Sequence, residues 1–164
     1  MNIPKLPLGK GIEWLEDWLM TYFGPFFDLI HAVIGGMVNG IDAALTFLPA
    51  IVLTLIITAL AYWIGKWRMA LFAVVGLLLI DNLGLWDPSM QSLALVLTAS
   101  VLAVLIGVPV GVLCAQSKTV QNIVTPVLDF MQTMPAFVYL LPAVSFFSLG
   151  VVPGVIASII FAIP

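Results

Sequence analysis

Two long stretches of this sequence carry no charge, and they restrict the chain to folds that live in lipid. Thirty residues separate Asp87 from Lys118 without an acid or a base, and the 35 residues after Asp129 hold none either. A membrane-crossing helix needs about 20 mostly apolar residues. Charged residues make up 8% of the chain and hydrophobic ones 63%, against roughly 25% and 45–50% in an average soluble domain. That balance excludes a water-soluble globular domain, and disorder as well, because disorder requires low hydrophobicity. The net charge of −3 leaves no basic surface for nucleic acid. The lone Cys114 forms neither an intramolecular disulfide nor a metal cluster, and reads as a small packing residue.

The charges are few enough to divide the chain into spans. Phe47 to Gly65 supplies 19 uncharged residues, Met69 to about Trp86 a second span, and Gln91 to Ala115 a third. Val120 to Leu149 is too long for one straight span. Its first part, through Thr125-Pro126, is expected to be an elbow at the membrane surface, with the span proper over Leu128 to Leu149. Ser148 to Gly154 is a turn by its Gly and Pro content. Val155 to Pro164 then opens a fifth span and stops halfway, as expected of a fragment of a longer protein.

Lys and Arg in short loops set the orientation. Lys66 and Arg68 join the first two spans and are expected inside. Asp81, Asp87 and Pro88 then lie outside, and Lys118 returns to the inside. Residues 1–46 are expected outside, with Lys5 and Lys10 as mild evidence against. No secretory signal peptide is visible, because Glu13, Glu16 and Asp17 interrupt any apolar core after those lysines.

The front end is amphipathic. From Ile12 to Phe23, residues Leu15, Trp18, Leu19 and Tyr22 form one stripe with the acids turned away. From Phe26 to Phe47, residues Asp28, His31, Gly35, Asn39, Asp42 and Thr46 form a narrow polar line on an otherwise apolar helix. Both patterns suit helices in the headgroup zone. A proton-carrying role for Asp28 and His31 is set aside in favour of a scaffold, since both sit near the helix start.

No triad, metal set or phosphate loop occurs, so the chain hydrolyses nothing by itself. The spans instead hold helix-modifying residues. Gly107 and Gly111 share a face and allow close helix approach. Pro109 leaves the carbonyl of Leu105 without its helical donor. Pro135 and Pro142 interrupt the fourth span. Kinked helices with small faces suit a protein that moves, and the lack of a central ionisable residue weakens a proton- or ion-coupled carrier.

The stretches LIGVPVGVLCAQSK, QTMPAFVYLLPA and GVVPGVIA resemble the permease subunits of bacterial glycine betaine/proline ABC importers, within the type I importer permease superfamily. The resemblance covers about residues 40–164. It implies an all-α polytopic membrane bundle with N-terminal amphipathic helices. Residues 1–46 would be an external tail, 47–90 two extra transmembrane helices, and 91–164 the start of the core permease domain, cut before a cytoplasmic coupling loop. It also implies a homodimer of permeases in the bacterial cytoplasmic membrane and two cytoplasmic ATPases that hold ATP and Mg. An extracellular binding protein would deliver the solute, and this chain would carry no cofactor. Gln132, Thr133, Phe137 and Tyr139 are the candidate path residues. Aromatic faces hold a quaternary ammonium well, and Phe130, Phe146 and Phe147 are also near. The alternatives are a permease for choline, an amino acid or a sulfonate, and a non-transporting membrane scaffold.

Overall fold

The structure, a computed structural model, describes the backbone of residues 8–164 and the side chains of residue 11 and residues 13–164. Lys5 and the side chain of Lys10, which bear on orientation, lie outside the described residues. The described chain is helical and without strands: α1 (Leu8–Thr46), α2 (Ala50–Asn82), α3 (Trp86–Gln116), α4 (Lys118–Thr133), α5 (Ala136–Phe147) and α6 (Val151–Ala162). It sorts into two units, Gly36–Thr98 and the described part of Met1–Gly35 with Ala99–Pro164.

The two amphipathic patterns at the front are one helix of 39 residues. Pro25 does not break it. The residue before a proline usually leaves the helical region because its Cβ meets the proline ring, and here that residue is Gly24, which has no Cβ. The covered side of α1 runs through Ile30, Ile34, Val38, Ile41 and Leu45, and the polar line flanks it. The stretch Glu13–Thr46 is long and apolar enough to cross a membrane.

In the unit Gly36–Thr98, α2 is two helical segments joined at Lys66, where the backbone turns to φ 59, ψ −160. Gly65 makes that turn sterically feasible. A Cβ placed there would overlap Cγ and Cβ of Met69, so the Met69 side chain rests directly on the glycine backbone. Arg68 lies over the Trp67 ring, 5.7 Å from its centroid. The second segment ends at Asn82, earlier than the apolar run suggests. Gly84 at φ 67 reverses the chain, the Leu85 N–H donates to the Ile80 carbonyl and the Gly84 N–H to that of Asp81. These two bonds satisfy carbonyls that the helix end leaves open.

Helix α3 correspondingly starts at Trp86, five residues before the expected Gln91, because Pro88 fits a first turn and Asp87 complements the helix dipole there. Trp86, Met90, Ala94 and Thr98 form a buried ridge at steps of four. The Thr98 hydroxyl donates to the Ala94 carbonyl at 2.8 Å, so this buried polar group is satisfied. Exposure is inverted relative to a soluble protein. Thr54 is the buried residue of α2, while Trp63 and Phe72 are 83% and 78% exposed. A surface this apolar has lipid or another protein as its solvent.

The other unit corrects the expected elbow. Helix α4 runs straight through Thr125-Pro126 and stops at Thr133, where the pair α4–α5 bends by 96°. The span proposed over Leu128 to Leu149 is therefore divided in two. Polar residues Lys118, Asn122, Thr125, Asp129 and Gln132 recur at steps of four and three along α4, so it stays amphipathic to its end. From Ala136 the sequence is apolar all round, and the helix direction changes with that change in pattern. Helix α5 has 12 residues, or about 18 Å, less than the roughly 30 Å hydrocarbon core. The next turn is shorter than expected, Ser148–Gly150, because Pro153 is accommodated in the first turn of α6. Helix α6 packs along α5 and buries Val152, Pro153, Val155, Ala157 and Ile159.

Candidate functional site

The 96° corner between α4 and α5 gathers all four candidate path residues: Gln132 and Thr133 end one helix, and Phe137 and Tyr139 begin the next. Its geometry follows from Pro135. A continuing helix would pair the Met131 carbonyl with the N–H of residue 135, and proline has none. The Tyr139 hydroxyl donates to that carbonyl instead, at 3.0 Å. One turn earlier, the Thr133 hydroxyl donates to the Phe130 carbonyl at 2.9 Å. Met134 sits at φ −88, ψ 136 and Pro135 at φ −58, ψ 139, the extended geometry expected before and at a proline. Two side-chain hydroxyls thus brace the corner, and that of Tyr139 takes the place of the N–H that Pro135 lacks.

Around that corner the side chains are open. Gln132 and Thr133 are exposed, Phe137 is 77% exposed, and Tyr139 is half-buried through its bond to Met131. An exposed amide, a hydroxyl and an aromatic face at a break between helices are suited to contacting a small solute. Backbone that departs from helix at membrane depth is tolerated where it is covered by protein or lines a cavity.

The remaining candidates are dispersed. Gly107 faces the end of α6, where a Cβ would lie 3.5 Å from the Ile163 carbonyl; Gly111 has nothing within 4 Å. A cleft of about 420 Å³ opens there, lined by Ser100, Ala103, Val104, Gly107, Val108, Ala162 and Ile163. Pro109 and Pro142 lie inside continuous α3 and α5. Lys66 and Arg68 mark the break in α2, and Lys118 is the first residue of α4, after Ser117, whose hydroxyl accepts the Val120 N–H at 3.5 Å.

Sequence reasoning passed over one further grouping. Asp28 and His31 of α1 share a cleft of about 300 Å³ with Phe146, Phe147, Ser148 and Leu149. The i, i+3 spacing of Asp28 and His31 is visible in the sequence, but nothing in it connects them to a turn more than 100 positions away.

Residues 107–164 match the family described as the binding-protein-dependent transport system inner membrane component. Over that segment the chain resembles the family. It is similar to the glycine betaine transport system permease protein OpuAB of Bacillus subtilis (strain 168), with 54% identity over 163 residues. That match covers 99% of this chain and 58% of OpuAB. The glycine betaine/carnitine transport permease protein GbuB of Listeria monocytogenes serotype 1/2a is 48% identical over 99% of the chain and 59% of GbuB. The glycine betaine/proline betaine transport system permease protein ProW of Escherichia coli (strain K12) is 39% identical over 97% of the chain and 45% of ProW. The chain spans about half the length of these curated relatives. Family and apolar helices together make it a multi-pass protein of the cytoplasmic membrane.

Proposed function

We propose that the chain forms part of the permease subunit of an ABC importer for glycine betaine, proline betaine and related osmoprotectants. The observation that carries this is the 54% and 48% identity, over 99% of the chain, to permeases named for glycine betaine. The corner at Met134-Pro135 supports it physically, because it presents Gln132, Thr133 and the face of Phe137 at a break between apolar helices. A quaternary ammonium has no N–H to donate, so an aromatic face is its natural contact.

In this reading the chain is not an enzyme. Two cytoplasmic ATPase subunits bind ATP and Mg and supply the energy, an external binding protein delivers solute, and a second permease copy completes the path. Lys66, Arg68 and Lys118 mark the inner ends of the helices and put the start of α2 outside; with α1 lying in the interface, as its amphipathic pattern suits, the N-terminus is outside as well. Reconstituting the full-length parent with its ATPase and binding protein tests the assignment. ATP-driven accumulation of radiolabelled glycine betaine is the expected result. Uptake of choline, an amino acid or a sulfonate with no betaine uptake would overturn the substrate, and no uptake of any solute would overturn the permease role.

A further inference from the structure

The cleft between α1 and the α5–α6 turn brings together groups that the corner at Pro135 does not use. Asp28 and His31 come from one face of α1, three residues apart, and both are exposed. Among the described residues neither forms a hydrogen bond or an ion pair. Across from them stand Phe146 and Phe147, both half-buried. Phe27, from the same turn of α1, fixes these rings. It stacks on Phe146 with centroids 4.9 Å apart and planes 19° apart, and meets Phe147 edge-on at 5.6 Å and 89°. The two rings that line the cleft therefore stand roughly at right angles and form an aromatic corner. Ser148 follows at φ 61, ψ 178, a strained backbone that turns the chain at the cleft wall.

We propose that this cleft is a binding subsite for a small zwitterion carrying a quaternary ammonium. Phe146 and Phe147 present π surface to the methylated cation, and the open Asp28 carboxylate balances its charge. The ring N–H of His31 donates to the anionic end of the ligand. A primary ammonium is the poorer fit, since its three donors need several acceptors and the side chains beside the two rings offer one carboxylate, Asp28, and one hydroxyl, Ser148. The volume, about 300 Å³, lies at the small end of ligand sites and suits a solute of a few heavy atoms. The subsite rests on the transport reading for its ligand class only.

The test uses the full-length permease with its ATPase in phosphatidylglycerol nanodiscs, without binding protein or ATP. Radiolabelled glycine betaine and tetramethylammonium are the probes. Both should bind saturably. Asp28→Asn and Phe147→Leu should each weaken both probes by about tenfold. His31→Ala should weaken glycine betaine and leave tetramethylammonium unchanged, a split that a merely structural role would not produce. Competition by added phosphatidylcholine would identify a lipid headgroup as the source of the same trimethylammonium-and-anion chemistry; its absence would assign the free solute. Asp28→Asn keeps size and shape at an exposed position, so the fold is preserved. Unchanged binding in that variant would overturn the proposal. Absence of saturable binding by protein that, moved from the same batch into liposomes with its binding protein and ATP, still accumulates glycine betaine would sink the subsite and leave the transport reading standing.

Discussion

The bond from Tyr139 to the Met131 carbonyl yields a quantitative test of how the α4–α5 corner is held. Tyr139→Phe removes the hydroxyl and keeps the ring. Pro135 has no N–H, so the carbonyl loses the donor it has at 3.0 Å. A hydrogen bond of this kind contributes about 1 kcal/mol net, and stranding a fully buried partner costs up to roughly 3. Tyr139 is half-buried, so the lower value applies. Amide hydrogen exchange over Val138–Leu140 in the full-length protein should speed up about fivefold, the equivalent of about 1 kcal/mol in local opening. Thr133→Val at the exposed neighbouring bond should change exchange less than twofold, since water replaces the lost donor. The decisive arm is Pro135→Ala, which restores a backbone N–H for Met131. In that background Tyr139→Phe should have almost no further effect, a coupling that a double-mutant cycle reads directly. Additive effects of the two substitutions would refute the idea that the tyrosine stands in for the missing backbone donor.

Four further outcomes follow from the geometry. Gly65→Ala should lower the thermal midpoint, costing about 2 kcal/mol, because its new methyl collides with Cβ and Cγ of Met69. Lys66→Gly should raise the midpoint by relieving about 1 kcal/mol of strain at φ 59, ψ −160; an unchanged or lower midpoint would contradict strain there. At Gly107, Ala should be tolerated at the 3.5 Å contact with the Ile163 carbonyl, whereas Leu should destabilise by about 2 kcal/mol, and equal melting of the two variants would count against that contact. With Cys114 replaced by Ser, a membrane-impermeant thiol reagent should label a cysteine at Asp87 from outside and spare one at Trp67. The reverse pattern would invert the orientation, and a label reaching both positions would mean that α2 does not turn at Lys66.

The difference between Pro126 and Pro135 marks the limit of what the sequence reveals about this site. Both are prolines inside one long weakly charged stretch, and either is a plausible elbow by composition. Two physical facts separate them. The amphipathic register from Lys118 continues past Pro126 to Thr133, so a bend at Pro126 would twist the polar stripe off its face, whereas a bend at Pro135 falls where the stripe ends. Pro135 also has a hydroxyl one turn beyond it, on Tyr139, within reach of the carbonyl it strands. The first signal is periodicity and was available in the sequence; the second depends on the corner having already formed. The break in α2 shows the same division. Lys66 and Arg68 interrupt an apolar run, which locates the turn. That Gly65 must lack a Cβ because Met69 lies upon it appears only in three dimensions. The aromatic cleft at Asp28 is the extreme case, since Phe27 and Phe146 are far apart in the chain and their stacking follows from how α1 meets the α5–α6 turn. Local signals thus place the breaks in these helices and, through Pro135 and Tyr139, the α4–α5 corner, while long-range contacts decide which side chains of α1 stand beside the α5–α6 turn.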